Sequence, residues 1–405
     1  MKRKLTFLKK RIRRDEAPEI LQNEYYENVS AHFGIAQVIL YISLLAFIFV
    51  SFLTNTELIT YRNFYYFFKD LNASAETVDV LSVESVSYPT SPSQSFTLYR
   101  QGLAVAGNND VTVFTATGRQ TVSRSVQYQN PTAIGSGKYL LVYEAGGHRY
   151  SLYNSYTQIH AGVSDYPIVS ATVSDSGMYA ITSFAEEYSS VVSLYSSHFS
   201  LLNRYNKNGY VMDVSIQEKG NLVAILTAYA QNGSYLTRLE AYEPGQTQEK
   251  FVSDLPNTLG LSCSFTDTGR IAVLSGDGAY FFEPSGELRS SYDFAGRRLA
   301  GAVVDRSGIA VFLQDSPVLT EGVLVVTDQN GDVQLENHMQ TAIKSMARSK
   351  HSLYFVSGDS VVRLNVRNGE QSTIQRNTEN RTLLAVSEKE ALLCSPQKAE
   401  YLHFD

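Results

Sequence analysis

The sequence predicts an all-β protein, a β-propeller of eight blades preceded by one transmembrane helix. Three observations predict it. Short apolar runs separated by turn residues recur from about residue 77 to the end of the chain. These runs repeat at the length of one four-stranded propeller blade. Upstream of them lies one uncharged apolar run that is long enough to cross a bilayer.

Composition supports the all-β class. The chain has 405 residues with 27 Tyr, 20 Phe and no Trp. Tyr and Val favour strands, whereas Ser and Gly favour turns. Residues 1–32 hold eight basic and five acidic residues, so the remainder holds 26 basic and 35 acidic residues, a net charge of −9. Such an acidic body lacks the basic surface that nucleic acids require, and the composition excludes a nucleic-acid partner.

The apolar run covers residues 33–53, and Gln37 is its only strongly polar residue. As a helix it spans ~31 Å, the thickness of the hydrocarbon core of a bilayer. A cleavable signal peptide would be shorter and followed by a small-residue cleavage site, and residues 54–58 offer none. The sequence therefore predicts an uncleaved anchor that contacts membrane lipid. Its representative positions are Phe33, Ile39, Leu45, Phe49 and Leu53.

Basic residues before the run predict its orientation, because such residues are retained in the cytoplasm. The topology signal is strongest at Lys9, Lys10, Arg11, Arg13 and Arg14. We expect a basic cytoplasmic tail at 1–32, the anchor at 33–53, an aromatic stem at 54–76 and an extracytoplasmic propeller at 77–405, on the outer face of the cytoplasmic membrane. As alternatives, the tail docks anionic lipid or a cytoplasmic partner, and the stem is a partner-binding patch.

The repeated unit consists of an apolar residue, Ser, Thr or Gln, an acid, any residue and Gly, followed by an apolar strand that often contains Ala. Gly supplies a positive φ and Asp can bond nearby amides, which suits a turn between two antiparallel strands. The turn residues of the best copies are Asp175, Gly177, Gly220, Asp267, Gly269, Asp305 and Gly308. Weaker copies centre on Gly102, Gly137, His351 and Glu390. A second turn series in phase with the first predicts where the outer two strands of each blade meet.

Eight copies predict eight blades, and seven remain an alternative if the unit at Gly102 or Glu390 is misread. The last copy supplies only three strands, at 382–386, 391–394 and 399–403. We expect residues 77–83 to add the fourth strand. Closure by this strand would remove an open sheet edge, which otherwise invites aggregation.

With its basic N-terminus, single span, aromatic segment at 63–68 and Asp-x-Gly units, the chain resembles a family of membrane-anchored, quinoprotein-like or WD40-like propellers of Gram-positive bacteria. That family is classed as a domain of unknown function. The resemblance covers nearly the whole chain and implies a fold and a location. It implies no active-site residues. The Gly-His and Trp-Asp dipeptides of true WD40 repeats are missing.

No catalytic, cofactor-binding or metal-binding residue is predicted. The quinoprotein-like resemblance implies Trp motifs and adjacent cysteines, and their absence argues against pyrroloquinoline quinone. Cys263 and Cys394 are expected to be buried thiols, with a long-range bridge as the alternative. A calcium loop starting at Asp328 would place Met339 at its twelfth, ligating position, so a hairpin is expected there instead.

Two functions fit these observations best, and a purely structural part of a larger membrane complex is a third alternative. The first is a non-catalytic binding or scaffold module, displayed at the outer face of the membrane, with an envelope protein or polymer as partner. The alternative is an extracytoplasmic enzyme that acts on cell-envelope glycan or peptide, with acids from several blades converging near the axis. Longer loops are predicted at 186–190, 228–234 and 314–321, and Glu186 and Glu187 in the first are expected to be solvated.

Overall fold

The structure, a computed structural model, describes residues 24–54, 84–155, 157–231 and 233–404. The chain divides into two compact units, Met1–Glu76 and Thr77–Asp405. The predicted topology signal, from Lys9 to Arg14, lies outside the described residues, as does the stem from residue 55 onward.

In the first unit the described residues form one helix, α1 (Glu24–Thr54). It contains the predicted anchor, and the side chains of Phe33, Ile39, Leu45 and Phe49 are 57–69% exposed. Judged by length and apolarity, none of the helices among the described residues qualifies as a membrane span. The anchor is therefore unconfirmed and stays a prediction.

The second unit is built of strands, beginning with the short β1 (Ser85–Ser87). Blade 1 consists of β2 (Gln94–Tyr99), β3 (Gly102–Gly107), β4 (Asp110–Phe114) and β5 (Gln120–Ser125). Blade 2 consists of β6 (Pro131–Gly135), β7 (Leu140–Glu144), β8 (Arg149–Tyr153) and β9 (Gln158–Val163). Blade 3 consists of β10 (Ile168–Val173), β11 (Tyr179–Ser183), β12 (Ser190–Tyr195) and β13 (Leu201–Lys207). Blade 4 consists of β14 (Tyr210–Ile216), β15 (Val223–Gln231), β16 (Ser234–Tyr242) and β17 (Glu249–Pro256).

The same order continues through the second half of the unit. Blade 5 consists of β18 (Gly260–Phe265), β19 (Ile271–Ser275), β20 (Gly278–Phe282) and β21 (Leu288–Asp293). Blade 6 consists of β22 (Arg298–Asp305), β23 (Gly308–Gln314), β24 (Gly322–Thr327) and β25 (Val333–Met339). Blade 7 consists of β26 (Ile343–Ser349), β27 (Ser352–Ser357), β28 (Ser360–Asn365) and β29 (Gln371–Gln375). The last strands are β30 (Thr382–Ala385), β31 (Glu390–Cys394) and β32 (Lys398–His403).

Each blade is a four-stranded antiparallel sheet, and in blades 1–7 the strands follow one another in chain order. First strands of neighbouring blades pack against each other around the ring, so the first strand of each blade lies nearest the axis. This arrangement confirms the predicted all-β propeller and decides between the two predicted numbers in favour of eight blades.

Closure of the ring uses a strand from each end of the second unit. Blade 8 has the order β1-β32-β31-β30, with Val86 opposite Ala399. The segment predicted for this task, 77–83, lies outside the described residues, and the observed strand starts at Ser85. Val86 is buried between blades 8 and 1, and the Tyr88 hydroxyl donates to the carbonyl oxygen of Ser395 at 2.7 Å. Apolar packing and this hydrogen bond explain why the short segment closes the sheet.

The core is distributed around the ring. Among the described residues, eight apolar clusters are buried, one between each pair of neighbouring blades. Second strands are buried on both faces, as in β3 and β23. The Ala that recurs in the repeat lies there with no exposed surface, for example Ala180, Ala224 and Ala310. Small side chains at this position let the blades approach closely, and each larger buried aliphatic residue contributes about 1.5–3 kcal/mol.

The predicted turn residues join the first and second strands of blades 3–6. Gly177, Gly220, Gly269 and Gly308 all have positive φ, at 85°, 72°, 82° and 128°. Gly102 and Gly137 mark the corresponding connections of blades 1 and 2. Cys263 and Cys394 are both buried free thiols, so the expected buried thiols are observed and the bridge is not.

Candidate binding face

The connections between strands sort onto two faces because the first strands run parallel around the axis. Ser95 and Thr97 of β2 accept the backbone N–H groups of Ala133 and Gly135 of β6, in the same order along both strands. Hairpins between second and third strands, and links between blades, therefore lie on one face, which we call the upper face. Turns between first and second and between third and fourth strands lie on the other, which we call the lower face.

Exposed apolar side chains are concentrated on the upper face. They lie at strand ends and in hairpins of blades 2–6: Val163, Val169, Phe184, Tyr188, Tyr210, Tyr235, Leu261, Val318 and Leu319. Val318 is the extreme case, at 87% exposed. Five other exposed apolar residues of the described propeller lie elsewhere: Leu201, Leu202, Val252, Leu288 and Val333. Exposed apolar side chains gathered on one face can mark an interaction site. The upper face is therefore the candidate binding face.

A groove of about 250 Å³ opens on this face where blade 2 meets blade 3. Its lining includes Asp165 and Tyr166 from the link between the two blades, and Glu186, Glu187 and Tyr188 from the hairpin that joins β11 to β12. Arg204 of β13 also lines it and lies 2.6 Å from the Asp165 carboxylate. The loop predicted at 186–190 thus contributes to this groove, and its two acids border it.

An aromatic stack supports the groove from below. Tyr195, which lines it, is stacked on the buried Tyr179 with ring centroids 4.8 Å apart and planes 4° apart. Tyr150 packs against both rings. Burial raises the pKa of Tyr179 and raises that of Tyr150 to about 12. These hydroxyls stay protonated at physiological pH, so the stack supplies rigidity and surface and no phenolate nucleophile.

Blade 3 is fixed to blade 4 by a buried ion pair. Lys207 Nζ of β13 lies 2.6 Å from Glu240 of β16, and both side chains are only 7% exposed. The same ammonium donates to the Tyr242 hydroxyl at 2.6 Å, which donates in turn to Glu249. Removal of one partner from such a pair costs about 3–5 kcal/mol, because the other charge is left buried and unpaired.

A long hairpin projects on the upper face of blade 4. The loop predicted at 228–234 is wrong: β15 and β16 continue through it and remain paired as far as Gln231 and Ser234. Arg238 braces the hairpin with two hydrogen bonds to Asp254, of 2.7 and 2.9 Å, and lies over the Tyr229 ring. Hydrogen bonds from Arg238 lower the pKa of Asp254. This bracing holds the exposed Tyr235 on an ordered support.

The repeated acids of the lower face bond to neighbouring turns. Asp175 accepts the N–H of Gly137 from blade 2, and the guanidinium of Arg306 from blade 6 lies 3.6 Å from Asp175 and 3.1 Å from Glu218. The carbonyl oxygen of Arg306 accepts the N–H of Asp267 at 2.9 Å. The acids of several blades therefore converge, as the enzyme alternative requires. Asp175 and Glu218, however, contact a backbone N–H or the guanidinium of Arg306 from other turns.

Two partly buried carboxyl groups have perturbed pKa values. Burial raises the pKa of Asp213, which accepts hydrogen bonds from Ser262 and from the N–H of Cys263 and so ties blade 4 to blade 5. Burial also raises the pKa of Asp305 to about 6, against the influence of Arg348. Asp213 lies on β14 and Asp305 on β22, and each accepts hydrogen bonds from other groups of the protein. Within the described part of the chain, no group of His, Cys, Asp or Glu is arranged to hold a metal ion.

The sequence gives no signal for several of these features. Arg204 and Asp165 are 39 positions apart, and Lys207 and Glu240 come from different blades. One signal for the binding face was present in the sequence: Tyr210 and Tyr235 lie at strand ends, where the repeat unit does not require an aromatic residue.

Comparisons with known proteins give a family and a fold. A model described as a family of unknown function (DUF5711) matches residues 75–404. The chain is similar in structure to Sqt1 of Chaetomium thermophilum, solved bound to the N-terminus of the ribosomal protein L10, with 12% identity and a TM-score of 0.55 over 80% of this chain and 99% of that one. The chain is also similar to BamB of Moraxella catarrhalis, with 12% identity and a TM-score of 0.52 over 80% of this chain and 99% of that one. Its similarity to Sqt1 of Saccharomyces cerevisiae has 10% identity and a TM-score of 0.56 over 78% of this chain and 98% of that one. The sequence matches no protein of curated function.

Proposed function

The chain belongs to the DUF5711 family of unknown function, and we propose that its propeller is a non-catalytic binding module that holds a protein partner on the upper face. The observation that carries this proposal is the concentration of exposed apolar side chains on that face, beside a groove with rigid walls. Rigid supports lower the ordering cost of binding, because fewer side chains must be fixed when the partner arrives. The Chaetomium thermophilum Sqt1 propeller was solved with a protein N-terminus bound, which fits this proposal at the level of the fold.

Site-specific photocrosslinking in cells that make the full-length chain tests this proposal. A photoreactive residue is placed at Tyr210 or Tyr235 on the upper face, with Leu288 and Val333 as exposed apolar controls on the lower face. We expect one protein to be captured from the upper positions and not from the controls. Equal capture from both faces, or no capture from the upper face, would overturn the proposal.

A substitution pair separates binding from folding. Tyr210→Ser together with Tyr235→Ser removes two exposed rings, so the free energy of unfolding should change by less than about 0.5 kcal/mol. Co-purification of the captured protein should fall at least tenfold, since exposed aromatic residues often carry most of the energy of an interface. Unchanged co-purification with the substituted chain would contradict the choice of face.

We further propose that residues 33–53 anchor the propeller on the outer face of the cytoplasmic membrane, with the N-terminus inside. The support is the uncharged run itself, the basic residues before it and the exposed apolar side chains of α1. A helix that exposes apolar side chains on all sides is stable only where water is excluded from them.

Cysteine labelling tests this location cleanly because the native thiols are buried. Burial raises the pKa of Cys394 to about 12 and that of Cys263 well above its usual value, so both should resist maleimides. A membrane-impermeant maleimide should label Val318→Cys in intact cells and Thr6→Cys only after lysis. Labelling of both variants, or of Thr6→Cys alone, in intact cells would contradict the proposed orientation. Recovery of the chain in the soluble fraction would contradict the anchor.

A further inference from the structure

From the groove between blades 2 and 3 we infer the chemistry of the bound segment: an extended stretch of a protein partner that inserts an arginine between the carboxylates and the tyrosines. This inference rests on the proposed function and specifies which part of a partner the upper face recognises. The groove is the one defined above by Asp165, Tyr166, Glu186, Glu187, Tyr188, Tyr195 and Arg204.

Charge is the first argument. Three carboxylates and one guanidinium line the groove, which gives it a net charge of −2. The guanidinium of Arg204 is already held by Asp165, so Glu186 and Glu187 supply the surplus negative charge. Both glutamates are exposed in the hairpin between β11 and β12. An incoming cation meets complementary charge there, whereas a phosphate or an acidic segment would be repelled.

The aromatic lining favours arginine over lysine. Tyr166, Tyr188 and Tyr195 line the groove together with the acids, and Tyr195 is stacked on Tyr179. A guanidinium can stack on an aromatic ring while its N–H groups bond carboxylates, whereas an ammonium offers only a point charge. The pair of Arg204 and Asp165, at 2.6 Å, shows that a guanidinium fits the lining beside a carboxylate.

The surroundings of the groove indicate an extended segment. Val163, which lines the groove, is 72% exposed, so an apolar side chain next to the arginine would find an apolar contact. The hairpin that carries the acids is fixed to the next link by a hydrogen bond from Ser189 to the carbonyl oxygen of Asn208 at 2.9 Å. The acids therefore stand on an ordered support before the partner arrives, which lowers the entropy cost of capture.

The test measures binding of short synthetic peptides to the detergent-solubilised full-length chain by fluorescence anisotropy. Each probe places one arginine between apolar residues, and each has matched versions with citrulline, a neutral isostere of arginine, or glutamate in its place. We expect the arginine version to bind about tenfold more tightly than the citrulline version, with a difference that shrinks as salt rises.

A pair of variants locates the effect. In Glu186→Gln with Glu187→Gln, the arginine and citrulline versions should bind within about twofold of each other, because the surplus charge is gone. The matched control is Glu243→Gln with Glu287→Gln, two exposed acids of the lower face, which should leave the tenfold preference intact. A preference that persists in the first variant, or that is absent from the unsubstituted chain, would overturn the inference. Capture of a partner from Tyr210 and Tyr235 would still stand in that case, so failure here is distinct from failure of the proposed function.

Discussion

The lower and upper faces of the propeller are built from the same repeated blade, and their connections contact different things. On the lower face, turns of different blades bond to one another, as Asp175 does to Gly137 and as Arg306 does to Glu218. On the upper face, hairpins such as those of blades 3 and 6 present apolar side chains to solvent. Hydrogen bonds also join hairpins to links on the upper face, from Ser189 to Asn208 and from Ser234 to Asn257, but the apolar side chains there stay exposed.

This difference separates residues that repeat from residues that do not. A turn with an acid and Gly recurs on the lower face of blades 3–6 because these blades need the same tight connection between their first and second strands. Tyr188, Tyr210 and Tyr235 occupy different places in their blades and recur in no other, since recognition of a partner requires an asymmetric surface. In a repeat protein of this kind, the repeated residues indicate the fold, and the residues that differ between repeats indicate the binding site.

The largest expected change in the free energy of unfolding comes from substituting a lower-face glycine, with an upper-face glycine as its comparison. Gly308 has φ 128°, and an added Cβ would meet the carbonyl group of Asp328 and the carbonyl oxygen of Thr327. Gly276, in the upper hairpin of blade 5, has open space around an added Cβ and no positive φ. We expect Gly308→Ala to lower the free energy of unfolding by about 2–4 kcal/mol and Gly276→Ala to change it by less than about 0.5 kcal/mol. Urea unfolding of the full-length chain measures both, and equal losses would contradict the distinction between the faces.

The next effect is a pH dependence that belongs to the lower face. Burial raises the pKa of Asp305 to about 6 from an ordinary value of 3.8, although Arg348 opposes the shift. The folded chain thus binds this proton more tightly than the unfolded chain, so the contribution to stability is complete below about pH 4 and is lost as the pH rises through about 6. Relative to Asp305→Asn, the unsubstituted chain should lose about 2–3 kcal/mol of stability between pH 4 and pH 8.

Urea unfolding at several pH values checks this difference, and the asparagine variant is a close control. Its side-chain oxygen can still accept the N–H of Ser307, which lies 2.8 Å from Asp305. Asn does not titrate, so the pH dependence of all other groups cancels in the comparison. A difference that is flat with pH would show that Asp305 titrates normally in the folded chain.

The ring itself was predictable because its residues obey local rules that every blade repeats. The strands expected at 382–386, 391–394 and 399–403 agree within a residue or two with β30, β31 and β32. Each carries apolar residues and is bounded by turn residues, and in β31 burial on both faces requires a continuous apolar run. The number of blades followed from the spacing of eight repeat copies, six centred on glycine and two on His351 and Glu390.

The site was less predictable because it depends on which blades touch. The acids Glu186 and Glu187 gave no sign of bordering a groove, since Tyr166 comes from the link between blades 2 and 3 and Arg204 comes from β13. The hairpin at 228–234 was misjudged because Gly233 and the polar residues near it resemble a loop, whereas cross-strand pairing from Ala228 to Thr237 extends the sheet. Tertiary pairing overrides such local signals.

The smallest expected effect concerns Arg306, whose guanidinium joins turns of blades 3, 4 and 6. Its side chain is 45% exposed, so water and salt screen its attraction to Asp175 and Glu218. We expect Arg306→Gln to lower the free energy of unfolding by about 0.5–1 kcal/mol at low salt and by less at high salt. Arg289→Gln is the control, since Arg289 makes a single, longer contact of 3.8 Å with Glu283 and should change stability hardly at all.

The same variant also tests whether the two faces act independently. Arg306 lies on the lower face, so Arg306→Gln should leave crosslinking from Tyr210 and the arginine preference of the groove unchanged, even where stability falls. Sites with no shared partners usually contribute additively, and the lower turns share none with the groove. If partner capture fell by more than the small loss of stability explains, the lower face would belong to the binding surface, and the contrast between a structural and a recognising face would fail.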